Sequence, residues 1–242
     1  MGLADTLARL GYVVLWPRSE RLEAGVADFE EPDVFGEAFE FLEGLEGIDD
    51  KRISYVGFSV GSSIMLVSAS GEQIADRVRS LVFFGGYFDM REYLADLASG
   101  TVRFHGREIG WRPAEGALNH AKEIFATKNI EAALFEAGDR QEAEAILNGI
   151  SESERRELAR FDPKQNIRGL KTYVFILHDK SDTYVPYFES IKLDSAIPEK
   201  DKKTFLLINL FEHVQPRREF SPQILGELSR IWLFLYRVFA YL

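Results

Sequence analysis

Cysteine is absent from all 242 residues. Disulfides, thiolate metal sites, iron–sulfur clusters and a cysteine nucleophile are therefore excluded together. Histidine is nearly as scarce, at four, and no H-E-x-x-H pair stands among them, so no metal constellation is expected. No G-x-G-x-x-G and no Walker loop occurs, and no cofactor is implied. Positive charge is also short: 29 Lys and Arg stand against 39 Asp and Glu, a net charge of −10. Phosphate binding needs concentrated Lys and Arg, so this balance argues against a nucleic-acid partner. The longest apolar tract is the twelve-residue tail Ile231–Leu242, broken only by Arg237. A bilayer span needs about 20 residues, so no membrane span is expected. Met1-Gly2-Leu3-Ala4-Asp5 lacks the basic and apolar regions of a signal peptide. With the missing cysteine, this favours a cytoplasmic location.

What remains is 46% apolar and 28% charged, the balance of a soluble globular protein and a length that suits one α/β domain. Leu3, Leu7 and Leu10 sit at helical spacing, with Gly11 where a C-cap glycine belongs. Tyr12–Trp16 then reads as a buried strand stopped by Pro17. Phe35, Ala38, Phe39, Leu42 and Leu45 mark one helix face. Ile53–Val56 and Ser80–Phe84 read as strands flanking a helix from about Val60 to Ser70, and Thr172–Leu177 and Thr204–Ile208 are further buried strands. The expectation is a mostly parallel sheet of about five strands with helices on both faces.

The middle of the chain differs. Thr101–Phe104, a His105-Gly106 turn and Arg107–Ile109 suit a small hairpin. Short polar helices follow at about 117–126, 130–137, 141–147 and 152–159. Residues 115–160 carry 10 acidic and 6 basic side chains, the composition of a solvated helical surface. A cap or lid inserted at about 87–165 of a single domain spanning 1–242 is the expectation. The last helix starts well, with Ser221 as N-cap and Pro222 at the first helical position. Its apolar tail reads as buried across the sheet, with a membrane or protein contact through residues 221–242 as the alternative.

Gly57-Phe58-Ser59-Val60-Gly61 is a G-x-S-x-G sequence that directly follows a strand and opens a helix. That strand–turn–helix context is what a nucleophile elbow requires. Glycine at both ends permits a tight turn, and the helix N-terminus favours developing negative charge. A serine nucleophile needs a base and an orienting acid. His178-Asp179-Lys180-Ser181-Asp182-Thr183-Tyr184-Val185-Pro186 and Phe211-Glu212-His213-Val214 each follow a strand, at the edge where open α/β sheets place ligands.

Here the sequence resembles the α/β-hydrolase family over nearly its whole length. Gly57–Gly61 is similar to the family's nucleophile elbow, His178–Pro186 to its H-G-x-x-D-x-x-V-P acid turn, and Phe211–Val214 to its histidine loop. The resemblance implies Ser59 as nucleophile, Asp182 as acid and His213 as base, with the Val60 N–H as oxyanion donor. Asp179 replaces a glycine of the acid turn and is the competing acid. Phe58, Tyr87, Phe88 and Trp111 are the candidate walls of a substrate pocket. His178 reads as packed against the sheet edge, and His105 and His120 as surface or lid contacts.

The function that follows is a serine hydrolase, esterase/lipase-like or acyl-peptidase-like, acting on a small-molecule acyl substrate. An acyltransferase, or a silent binding or scaffold protein of the same fold, is the alternative. In the family, a strand and an oxyanion loop precede the first helix, and Leu3–Leu10 resembles that helix. The expectation is that these parts would lie before Met1. Tyr12–Trp16 would then either pair directly with Ile53–Val56 or face it across a slot about 10 Å wide.

Overall fold

Four strands form one parallel sheet: β1 (Tyr55–Phe58), β2 (Ser80–Phe84), β3 (Tyr173–Asp179) and β4 (Lys203–Ile208), hydrogen-bonded in that order. This computed structural model describes residues 2–17, 31–125, 131–197, 199, 202–212, 215–216 and 223–242. Side chains alternate across the sheet with the period of two that strands impose. Leu81, Phe83, Val174 and Ile176 share one core with Phe35 and Phe39 of α2 (Glu31–Glu43), Ile64 and Leu66 of α3 (Val60–Ala69), and Leu193. Phe84, Phe175, Leu177 and Ile208 face the other way, onto Phe234 and Val238 of the C-terminal helix Gln223–Tyr241. Helices therefore cover both faces, as the buried-strand pattern required.

The register aligns the C-terminal ends. Phe58 lies beside Phe84, Phe84 beside Leu177 and Asp179 beside Ile208. The ladder continues one step past the strands: Ser59 N–H donates to the Phe84 carbonyl at 2.7 Å, Gly85 to Leu177 at 3.0 Å and Lys180 to Ile208 at 2.8 Å. The loops carrying the candidate residues thus leave from one edge with their first peptides fixed.

Between β2 and β3 lie α4 (Met90–Ser99), the hairpin Thr101–Phe104/Arg107–Gly110, α5 (Glu115–Phe125), α6 (Glu131–Phe135), α7 (Arg140–Gly149), α8 (Glu152–Arg160) and a short turn α9 (Pro163–Asn166). His105 (φ 49°) and Gly106 (φ 73°) make the hairpin turn, the double positive φ that a two-residue connection demands. This region is not only a solvated surface. Leu134, Ala143, Leu147 and Leu158 are buried and join the main core through Tyr93, Leu94 and Leu97 of α4. Arg140 is buried, while most of the other described charges of this stretch are exposed, and a few apolar residues dock each short helix.

The fifth strand is a correction. Tyr12–Trp16, after α1 (Leu3–Arg9), is in no ladder, and Val13 and Trp16 are 64% and 76% exposed. Neither direct pairing with β1 nor a facing strand across a slot occurs among the described residues, where β1 ends the sheet. The run has the β-branched and aromatic make-up of a strand, but that preference needs a partner and a covered face. Its described aromatic contact is instead Tyr12 against Phe239, ring centroids 6.3 Å apart.

The C-terminal helix is half right in the same sense: Phe234 and Val238 are buried while Trp232, Tyr236 and Phe239 are exposed. Arg52 and Arg79 donate to the terminal carbonyls of Leu242 and Tyr241, at 2.9 and 3.2 Å, cations at a helix C-terminus. Ser221 and Pro222 lie outside the described residues. No described helix is long and apolar enough to cross a membrane.

Candidate active site

Ser59 stands between the last residue of β1 and the first of α3, with φ 51° and ψ −139°. Ser59 and His105 are the two non-glycine residues with positive φ among those described. A serine in that region is strained, and the surroundings enforce it. A Cβ on Gly57 would fall inside the Ser62 backbone, so only glycine lets the strand pass this close under α3. On Gly61 a Cβ would meet nothing within 4 Å, so the tightness of the turn comes from the Gly57 side. The Ser62 hydroxyl donates to the Ser59 carbonyl at 2.7 Å, holding the turn from within the helix. Val60, the first residue of the ten-residue α3, has an N–H that the helical ladder leaves over.

The acid turn leaves the end of β3. Asp182 is buried, and its Oδ1 accepts the N–H groups of Tyr184 at 2.7 Å and Val185 at 3.0 Å. Its Oδ2 lies 3.4 Å from His178 Nε2. His178 is fully buried; its Nδ1 meets the Ser190 hydroxyl at 2.6 Å and its Nε2 the Val185 carbonyl at 3.0 Å. A ring held at both nitrogens supports the turn from below, consistent with the packed reading of this histidine.

Asp179 takes another part. It is the last residue of β3 and does not have a left-handed backbone. Its Oδ1 accepts the Ser181 N–H at 2.9 Å and hydroxyl at 2.6 Å, and its Oδ2 the Leu210 N–H at 2.6 Å. It therefore ties the acid turn to the loop after β4. In that loop Phe211–Glu212 pairs antiparallel with Gln215–Pro216. His213 and Val214, between them, lie outside the described residues. The elements that flank the candidate base are thus placed at the same edge as Ser59 and Asp182.

Of the pocket candidates, Phe58 is 41% exposed with its ring 5.8 Å from Phe84, and Trp111 is half-buried. Tyr87 and Phe88 are buried. Tyr87 stacks on Tyr93 with centroids 5.2 Å apart, donates to the Phe161 carbonyl at 2.9 Å, and its own carbonyl accepts the Ser63 hydroxyl at 2.7 Å. The loop after β2 is thereby pinned to the elbow helix. His105 and His120 are exposed. Among the described residues no three His, Asp or Glu side chains gather as a metal site.

Sequence reasoning missed the buried Glu189, which accepts the N–H groups of Phe88 at 2.9 Å and Asp89 at 2.7 Å. It also missed Tyr93, whose hydroxyl donates to the Tyr184 carbonyl at 3.0 Å. A lone Glu or Tyr at helical spacing carries no sequence signal for such long-range contacts. Burial raises the Tyr93 phenol, as do the neighbouring carboxylates Asp182, Glu189 and Asp96, so it stays protonated and able to donate.

No protein-family model and no curated protein matches the chain. Solved structures do. The 2,6-dihydroxy-pseudo-oxynicotine hydrolase matches with a TM-score of 0.52 at 16% identity, over 80% of this chain. An acylaminoacyl peptidase, solved with Z-Gly-Gly-Phe-chloromethyl ketone, matches with a TM-score of 0.52 at 15% identity, over 88%. The chain has the α/β-hydrolase fold. It spans 43% and 27% of the lengths of those two proteins. In an α/β hydrolase the order nucleophile, acid, histidine runs along the chain at one sheet edge, the order in which Ser59, Asp182 and the 210–216 loop leave this sheet.

Proposed function

We infer that this α/β-hydrolase chain is a serine hydrolase cleaving a carboxylic ester or related acyl bond of a small molecule. Ser59 Oγ attacks the carbonyl carbon while His213 takes its proton, and Asp182 holds the imidazole in the tautomer that can accept it. The oxyanion of the tetrahedral intermediate meets the Val60 N–H at the α3 N-terminus. Collapse expels the leaving group, protonated by His213, and leaves an acyl group on Ser59. Water, activated by the same histidine, then releases the acid. Another acyl acceptor in place of water makes the reaction a transfer. Residues 87–165 act as the cap over this edge, with Phe58, Tyr87, Phe88 and Trp111 contributing to the wall of the pocket, and the setting is cytoplasmic.

The observation that carries this reading is the strained Ser59 backbone, φ 51° between a strand and a helix. A capping serine in an ordinary βα turn has no need of it. Incubation with a fluorophosphonate probe tests it directly: Ser59 of the folded wild type is labelled and a Ser59→Ala variant is not. Hydrolysis is expected to rise with pH through the ordinary histidine range, about 6.5, as the base loses its proton. Folded protein that resists the probe sinks the enzyme reading and leaves a silent binding protein of this fold.

A further inference from the structure

The carbonyl of Ser59 and the N–H of Val60 belong to one peptide unit. That unit is planar and trans, so whatever holds the oxygen also aims the hydrogen in the opposite direction. One residue holds the oxygen twice: Ser62 donates its N–H at 3.0 Å and its hydroxyl at 2.7 Å. On the other side of Ser59, its own N–H donates to the Phe84 carbonyl at 2.7 Å. Both peptides flanking the strained residue are therefore fixed. Ser62 is fully buried in the first turn of α3, and two further parts of the chain close on it. β1 passes against its backbone, where a Cβ on Gly57 would overlap the Ser62 Cα. The loop after β2 covers its hydroxyl, where a Cβ on Gly86 would overlap the Ser62 Oγ. The hydroxyl is thus packed against the elbow carbonyl that it serves.

We propose that Ser62 is a positioning residue of the reaction, aiming the Val60 N–H at the oxyanion through the Ser59–Val60 peptide. The proposal rests on the serine-hydrolase reading. A serine at φ 51° and ψ −139° persists only where its surroundings over-determine it. The Ser62 N–H alone makes a single turn bond, about which the peptide can rock. The hydroxyl adds a second donor to the same oxygen, and the two together set the plane. A carbonyl that accepts two hydrogen bonds also polarises the N–H across its peptide, which strengthens that group as a donor. Oxyanion charge exists in the tetrahedral intermediate and not in the bound ester. An error in this aim therefore raises the barrier without weakening substrate binding.

The test uses the full chain and p-nitrophenyl butyrate, after fluorophosphonate labelling of the wild type. The inhibitor is 2,2,2-trifluoroacetophenone, whose carbonyl oxygen becomes an oxyanion when Ser59 Oγ adds to it and the serine proton passes to His213. Ser62→Ala keeps the Ser62 N–H bond and removes the hydroxyl. The Val60 donor is then misaimed and not lost, so kcat is expected to fall about tenfold, less than the roughly 100- to 1000-fold of a deleted donor. KM stays within about twofold of wild type, and the inhibition constant rises by the factor by which kcat/KM falls. The rising limb of the pH profile stays in place, because the base is untouched. Ser70→Ala is the control: its hydroxyl donates to the Leu66 carbonyl at 2.8 Å at the far end of α3. Its denaturation midpoint should fall as far as that of Ser62→Ala, with kcat and the inhibition constant at wild type. Ser62→Cys, a weaker donor of similar size, should lie between Ser62→Ala and wild type, and it takes the place of Ser62→Ala should that variant fail to fold. Wild-type kcat in the folded Ser62 variant overturns the proposal, as does a lower kcat with an unmoved inhibition constant, or an equal loss in Ser70→Ala. A change in KM alone puts Ser62 in substrate binding, and a shifted pH limb puts it beside the base; either removes the oxyanion role. A wild type that neither labels nor turns over the ester sinks the hydrolase reading, and this proposal with it; a labelled wild type with indifferent Ser62 variants sinks the proposal alone.

Discussion

Replacing Arg140 by Met is expected to be among the most destabilising single changes away from the sheet. The guanidinium is 98% buried, by a relative exposure of 2%. It donates to Asp96 Oδ1 at 2.5 Å, to Glu144 at 2.8 Å, to the Thr101 carbonyl at 3.0 Å, and also to Glu92. It therefore joins α4, the hairpin and α7 at one point. Methionine fills much of the space but takes from Asp96, itself fully buried with Oδ2 already lacking a described partner, the cation that donates to it. Breaking a buried pair from one side costs about 3–5 kcal/mol. For a chain of this size that is a fall in Tm of about 6–20 °C. The penalty depends on pH. Burial pushes the Asp96 carboxyl up to about 7, with the Glu189 charge adding to it and Arg140 and Lys192 opposing. At pH 8 the wild type holds an ionised pair and loses all of it; at pH 5 Asp96 is protonated with or without Arg140. There the loss should shrink to about 1–2 kcal/mol, the value of the remaining hydrogen bonds. Urea titrations at the two pH values measure both numbers. A loss below about 1 kcal/mol at pH 8, or one that grows toward pH 5, refutes the reasoning.

Asp96 and Asp162 also set the pH dependence of the wild type. Burial raises Asp162 to about 6, helped by the Asp89 charge, against hydrogen bonds from Gln165 and from the Met90 and Lys164 N–H groups. Both folded values lie above the unfolded one, so their contribution is complete below about pH 4 and is lost as pH rises through about 6 and 7. Asp96→Asn should flatten the upper part of that decline in denaturation midpoints. Gly57→Ala should abolish fluorophosphonate labelling, because the new methyl meets the Ser62 backbone and the elbow must shift; full labelling in the folded variant counts against the elbow geometry. Asp182→Asn should leave the fold intact and reduce kcat by about 10⁴-fold through the wrong imidazole tautomer.

The sheet was legible in the sequence wherever both faces of a strand are covered. Ser80–Phe84 and the run after Leu170 are apolar without alternation, and they became the two central strands, β2 and β3. The elbow strand was displaced by two residues, to Tyr55–Phe58. Ile53 is buried through packing, and its carbonyl accepts from Arg79 outside the ladder. Tyr12–Trp16 has the composition of a strand and no strand beside it among the described residues. Its composition states a preference for pairing, and a preference cannot say whether a partner stands beside it. α4 escaped notice because its helical face, Tyr93, Leu94 and Leu97, is buried against other helices, while its sequence begins in the loop that β2 releases.

The site divides along the same line. Local geometry was readable: a serine between two glycines after a strand predicts an elbow, and the positive φ of Ser59 follows from it. Which of two aspartates serves as acid was not, because Asp179 and Asp182 stand three residues apart on one turn. The hydrogen bonds bear on the choice. Both oxygens of Asp179 are engaged by Ser181 and Leu210, and moving either would release the loop that leads to His213. Asp182 has Oδ1 bound by two peptides of its own turn and Oδ2 3.4 Å from His178 Nε2 of β3, contacts that stay within the acid turn and the strand before it. The two carboxylates therefore make opposite forecasts. Asp179→Asn keeps an oxygen for one of its partners and should lose stability and turnover together, as the 210–216 loop loosens. Asp182→Asn should lose turnover at unchanged stability. Parallel denaturation curves and kcat values for the pair separate tether from acid. If Asp179→Asn lost about 10⁴-fold in kcat with an unmoved denaturation midpoint, while Asp182→Asn kept its activity, the roles argued from these bonds would have to be exchanged.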